Sequence, residues 1–150
     1  MNILDQLADH ARERVEAAEQ RIPLEVVRQQ ALTLPKGDFR FEQALKKPGL
    51  SFICECKKAS PSKGLIAPDF PYLQIAKDYE AAGADAISVL TEPKWFLGSD
   101  AYLQEIASAV RTPCLRKDFT VDEYMIYEAK LLGASAVLLI CSILDAERLK

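Results

Sequence analysis

The chain has 150 residues, 19 Lys and Arg against 22 Asp and Glu for a formal net charge of −3, and 49% hydrophobic residues. That is the length of about one ordinary domain and the composition of a folded soluble protein, not a disordered one. An acidic balance argues against a nucleic-acid surface, no apolar run reaches bilayer length, and Met1-Asn-Ile-Leu-Asp-Gln6 lacks the basic and apolar regions of a secretory leader.

Residues 1 to about 21 read as an amphipathic helix, because Ile3, Leu4, Leu7, Ala11, Val15 and Ala18 recur at helical spacing. Asn2 or Asp5 can cap its start. Ile22-Pro23 ends it, and a second helix is expected from Leu24 to about Leu32. Residues 35–38 form a loop, 39–45 a short helix, and Pro48-Gly49 a break. Strands begin only at Leu50, so residues 1–49 are a helical extension and 50–150 the body of the fold.

The body opens on Phe52-Ile-Cys-Glu-Cys-Lys57, a period-2 strand that stops at Ser60-Pro-Ser-Lys-Gly64. The stop lacks Walker spacing and does not open into a helix, so a mobile loop folding over a substrate is expected instead of a phosphate loop. A helix over 72–82 ends at Gly83, and residues 84–91 form a second strand. Residues 92–98 are a loop, and 100–110 a helix. A third strand spans 112–117, with Pro113 near its start, where a strand tolerates proline. Asp122 or Thr120 caps a helix running to Leu132, Gly133 ends it, residues 134–141 are a fourth strand, and another helix begins at Ala146.

Strand, loop and helix repeating with short connections mean successive βα units and a parallel sheet. Gly83-Ala-Asp-Ala-Ile-Ser-Val-Leu90 and Gly133-Ala-Ser-Ala-Val-Leu-Leu-Ile140 echo each other, each feeding a buried strand from a helix-ending glycine. Four strands are half of what a (β/α)8 barrel needs, and an open four-stranded sheet leaves two bare edges. A small doubly wound sheet is the other solution. The half barrel fits better, since polar residues gather at the C-terminal ends of several strands, where such folds bind ligands.

Glu55 and Lys57 are two apart, so both face one side of the first strand near its C-terminal end. Lys117 ends the third strand in the same way. A strand-end lysine in a partly dry pocket beside another cation can serve as a general acid. The plain alternative for all three is a solvated, charged strand surface. Trp95 and Phe96, with Phe119, could wall an aromatic substrate or simply pack loops onto the rim. The four cysteines, Cys54, Cys56, Cys114 and Cys141, are expected as buried free thiols in a reducing cytoplasm. Cys-x-Cys on a strand is poor spacing for zinc, and the single His10 lies far away, so no metal site is expected.

Glu-Cys-Lys-Lys-Ala-Ser-Pro-Ser-Lys-Gly (55–64), Leu-Thr-Glu-Pro-Lys-Trp-Phe-Leu-Gly (90–98) and Leu-Arg-Lys-Asp-Phe (115–119) resemble indole-3-glycerol phosphate synthase of tryptophan biosynthesis. The resemblance covers essentially the whole chain, motif order and helical extension included. It implies a TIM barrel, here the extension plus the first four βα units, and a cytoplasmic carboxy-lyase. The implied reaction closes an indole ring on the small phosphorylated substrate 1-(2-carboxyphenylamino)-1-deoxyribulose 5-phosphate without any cofactor. By the same resemblance Lys117 is the general acid, Lys57 holds the substrate carboxylate, and Glu55 orients both lysines and joins the acid–base steps. Ser60 matches a loop position near the substrate, and Phe96 and Phe119 match aromatic walls. Strands five to eight are not in this sequence, nor are the family's second glutamate, asparagine and phosphate site. The expectation is an N-terminal half, incomplete as a catalyst, whose uncovered strand edges favour self-association. Two rivals are phosphoribosylanthranilate isomerase, which would use a cysteine–aspartate pair, and a non-catalytic half-barrel scaffold.

Overall fold

A computed structural model describes residues 2–150. Three helices come first: α1 (Ile3–Arg21), α2 (Leu24–Thr33) and α3 (Arg40–Leu45). Asn2 opens α1 with a capping box: its side chain accepts the Asp5 amide at 2.9 Å, and the Asp5 carboxylate accepts the Asn2 amide at 3.1 Å. Then follow β1 (Ile53–Cys56), β2 (Ala59–Ser60), β3 (Gly64–Leu65), α4 (Tyr72–Ala81), β4 (Ala86–Leu90) and α5 (Asp100–Ala109). The described chain closes with β5 (Cys114–Lys117), α6 (Glu123–Leu131) and β6 (Ala136–Val137). Asp122 caps α6. Gly83 and Gly133 follow α4 and α6 at the same φ of +88°, so the echo in the sequence is a repeated left-handed helix exit that favours glycine.

The main sheet runs β1-β4-β5-β6, all neighbours parallel and in chain order. Its pleat sorts the side chains into two sets. Cys56, Ile87, Val89 and Cys114 pack with Ala76 of α4, Leu103 and Ile106 of α5, and Val110. Each fully buried aliphatic side chain in this layer stabilises the fold by about 1.5–3 kcal/mol. The opposite face carries Glu55 paired with Ser88, Ser88 with Leu115, and Leu90 with Lys117. A second core joins Ala8, Ala11 and Val15 of α1 and Val27 of α2 to Val121 and to Tyr124 and Met125 of α6. Helices α1 and α2 therefore lie against the sheet's own helix layer and do not stand apart.

Four expectations need correction. The 60–64 stretch is no bare loop: β2 and β3 pair antiparallel, with Ala59 opposite Leu65 and Ser60 opposite Gly64, and residues 61–63 make the turn that Gly64 leaves at φ +63°. The fourth strand is only Ala136–Val137, where the ladder to β5 is made, and the residues after it turn away. Residues 146–149 are turns and not the start of a helix. Of the cysteines, Cys56 and Cys114 are buried and Cys54 is half-buried, but Cys141 is exposed because it falls in the turn beyond β6. All four are free thiols.

Candidate active site

The C-terminal ends of β1 and β5 bring Glu55, Lys57 and Lys117 together. Lys117 Nζ lies 3.0 Å from Glu55 Oε2, and Lys57 Nζ lies 3.1 Å from Glu55 Oε1. Ser88 of β4 donates to Oε2 at 3.0 Å. Burial pushes the Glu55 carboxyl up. The hydrogen bond and charge of Lys117 and the bonds from Lys57 and Ser88 outweigh it, so the group is held below the usual carboxylate range. Two ammoniums around one carboxylate leave the cluster net positive, as a binder of an anionic substrate should be. Behind Glu55, the Tyr79 hydroxyl of α4 donates to its backbone carbonyl at 3.1 Å.

Lys117 stands between two side chains that point the other way. Arg116 is 1% exposed and reaches Asp100 at 2.8 Å, Glu128 at 2.7 Å and the Met125 carbonyl at 3.0 Å. Asp118 is 2% exposed and accepts both guanidinium nitrogens of Arg14 at 2.6 and 3.1 Å. It also accepts the Thr91 hydroxyl at 2.5 Å and the Phe119 amide at 2.8 Å. Burial pushes the Asp118 carboxyl up, but Arg14, Arg116 and Thr91 more than reverse this. Helix α1 is thereby pinned to the strand end that carries Lys117.

The 92–98 loop is folded by Glu92, whose buried carboxylate accepts the amides of Lys94, Trp95 and Phe96 at 2.9, 2.8 and 2.9 Å. Gly98 closes the loop so tightly that a Cβ there would lie 2.4 Å from the Leu90 carbonyl oxygen. The result sets the Phe96 ring 6.0 Å from the Phe119 ring, tilted by 42°. Trp95 turns away to meet His10 of α1 edge-on at 5.5 Å, so it packs the loop onto α1.

Of the six residues that the family resemblance assigns to the site, Glu55, Lys57 and Lys117 form one bonded cluster, and Phe96 and Phe119 form one aromatic pair. Ser60 does not join the cluster: it is buried, and its hydroxyl accepts the Lys63 amide at 3.3 Å inside its own hairpin. Ser88, Glu92, Thr91, Arg116 and Asp118 were missed. Ser88 left a readable signal, the only hydroxyl in Ala-Ile-Ser-Val-Leu (86–90). Arg-Lys-Asp at 116–118 left another, since alternation forces its outer two charges into the helix layer. Among the described residues no three His, Cys, Asp or Glu side chains converge as a metal site, and no helix is long and apolar enough to cross a membrane.

A family model described as indole-3-glycerol phosphate synthase matches residues 4–150. Curated relatives carrying that name include one from Ruminiclostridium cellulolyticum, 57% identical over 99% of this chain and 57% of its own length. Another, from Endomicrobium trichonymphae, is 54% identical over 99% of this chain and 58% of its own. One from Lacticaseibacillus casei is 52% identical over 99% and 57%. The chain belongs to the indole-3-glycerol phosphate synthase family. It spans about half the length of the curated relatives it matches. The fold of the indole-3-glycerol phosphate synthase family is the (β/α)8 barrel, and four parallel strands in chain order are compatible with half of one. Membership in this family sets aside the isomerase reading. The geometry agrees, since Cys56 is buried in the helix-side core, on the opposite face of β1 from Glu55.

Proposed function

We propose that the protein acts in indole-3-glycerol phosphate synthesis, closing the indole ring of 1-(2-carboxyphenylamino)-1-deoxyribulose 5-phosphate with loss of CO2 and water. The observation that carries this is the Glu55 carboxylate held between Lys57 and Lys117 at 3.1 and 3.0 Å, at the strand ends of a parallel sheet. In the first step the ring carbon bearing the carboxylate bonds to the ribulose carbonyl carbon, and Lys117 gives its proton to the carbonyl oxygen. The carbon–carboxylate bond then breaks, CO2 leaves, and the electron pair restores the aromatic ring. In the second step the new hydroxyl leaves as water with a proton from the cluster, and a proton lost from the ring system completes the indole. Lys57 holds the substrate carboxylate and assists the dehydration. Glu55 sets both lysines and passes protons between them. Phe96 and Phe119 supply the apolar slot for the anthranilate ring, and Ser60 belongs to the hairpin that the family resemblance sets near the substrate. The chemistry asks for a proton donor, an anion holder and a slot, and for no cofactor.

On this reading residues 1–49 form the helical extension and 50–150 the barrel portion, working in the cytoplasm, where four free thiols are at home. The test follows indole-glycerol phosphate fluorescence with that substrate, using this chain alone and then mixed with the C-terminal part of a family relative. Turnover in either, lost in Lys117→Ala, supports the proposal. Silence in both, with the two pieces shown to be folded and associated, overturns it in favour of a scaffold.

A further inference from the structure

Every residue of β4 is buried, and its sequence Ala-Ile-Ser-Val-Leu is otherwise apolar. A buried hydroxyl destabilises such a strand unless it is bonded, and alanine would fill the position with no partner needed. Ser88 is 3% exposed, lies in register with Glu55, and donates to Glu55 Oε2 at 3.0 Å. That oxygen takes two donors, Ser88 Oγ and Lys117 Nζ, while Oε1 takes Lys57. The last torsion of a glutamate is broad and roughly two-fold, so it does not by itself fix the carboxylate plane. Both lysine side chains are 36% exposed and sit on flexible stems, so they do not fix it either. A short hydroxyl on an interior strand does.

We infer that Ser88 is a positioning residue: its hydroxyl locks the plane of the Glu55 carboxylate so that each oxygen is presented to a different lysine. The inference rests on reading the cluster as the ring-closing site, and it adds a residue that acts through Glu55 without touching substrate. The groups facing that carboxylate are Lys57 just past the end of β1, Ser88 on β4 and Lys117 on β5. From the helix layer, Tyr79 reaches only the backbone carbonyl. Among the described residues Ser88 is thus the one neutral donor to the carboxylate, and it favours the ionised form along with the two cations.

The experiment compares wild type, Ser88→Ala and Ser88→Thr, with Ser88→Cys, a much weaker donor of similar size, as a second truncation. A carbon-13 carboxyl titration of the 150-residue chain, with the Glu55 signal assigned by Glu55→Gln, reads the carboxylate directly. The Glu55 midpoint should move up in Ser88→Ala and Ser88→Cys and return in Ser88→Thr. In the preparation that turns over, kcat should fall about tenfold in Ser88→Ala, with KM little changed, since one hydrogen bond is lost away from substrate. A merely structural serine would lower Tm and leave the midpoint in place. An unmoved Glu55 midpoint in both truncations overturns the inference. A moved midpoint in a protein that never turns over upholds the positioning role and sinks the ring-closing reading instead.

Discussion

Replacing Arg14 by methionine removes the guanidinium that grips Asp118 and keeps most of the side-chain volume. Asp118 is 2% exposed and the Arg14 side chain 22%, so this is a largely buried pair with two short bonds. Truncating one partner of a buried ion pair costs about 3–5 kcal/mol. Asp118 keeps the Thr91 hydroxyl and the Phe119 amide, which places the expected loss at the low end, about 3 kcal/mol. With a urea slope of about 2 kcal/mol/M, the unfolding midpoint should fall by about 1.5 M. The folded Asp118 carboxyl lies below its unfolded value, so the pair's contribution is present above about pH 4 and fades as pH falls through the folded value. The gap between wild type and Arg14→Met should therefore be level near neutrality and shrink in acid. Arg12→Met is the control, because Arg12 pairs with Asp9 at 2.7 Å on the same helix with both side chains about half exposed. Such a pair contributes about 0–1 kcal/mol. If Arg14→Met shifts the midpoint no more than Arg12→Met, the pin between α1 and the strand end is not a stabilising contact and the reasoning fails.

On the proposed function, Lys117→Ala should cut ring closure by about 10²–10⁴ in the preparation that turns over, while leaving the urea midpoint nearly in place, since the side chain is partly exposed. Glu92→Ala strands three amides and should cost about 2–4 kcal/mol, seen as a Tm fall on the order of 10 °C. An unchanged Tm would mean that the loop folds without its carboxylate. Gly98→Ala forces a Cβ onto the Leu90 carbonyl and should destabilise by about 1–3 kcal/mol in urea titrations, with no polar group changed. Among the described residues β1 and β6 each have one unpaired edge, with Phe52, Ile53 and Leu139 exposed beside them. Light scattering of the 150-residue chain should show a concentration-dependent dimer, and a monodisperse monomer at high concentration would refute this.

The sequence was most legible where local periodicity and burial agree. Helical spacing placed α1, α4 and α5, and a capping residue α6, within a residue or two. The glycines at 83 and 133 marked the turns into β4 and β6, and the two-residue separation of Glu55 and Lys57 put both at one strand end. The rest depends on partners distant in the chain. Arg14 and Asp118 are 104 positions apart, and nothing in α1's amphipathic pattern distinguishes the arginine that is gripped from those in solvent. The β2–β3 hairpin was hidden because its paired segments are two residues each, too short for alternation to register. β6 was overread because Val137-Leu-Leu-Ile140 is apolar enough for a strand, while the ladder needs β5 opposite it and reaches only Val137.

The alternation Arg116-Lys117-Asp118 has a consequence for how this strand end can change. The charges on either side of the lysine are bolted into the helix layer, by Asp100 and Glu128 on one side and Arg14 on the other. The backbone at position 117 is thus a mount held in the sheet by the ladder to β4 and braced by side chains of its two neighbours on the far face. A different side chain placed there inherits the same aim without disturbing what secures it. Position 117 is accordingly where new chemistry could be tried on this scaffold at little risk to folding, whereas positions 116 and 118 are where the same liberty would loosen the frame.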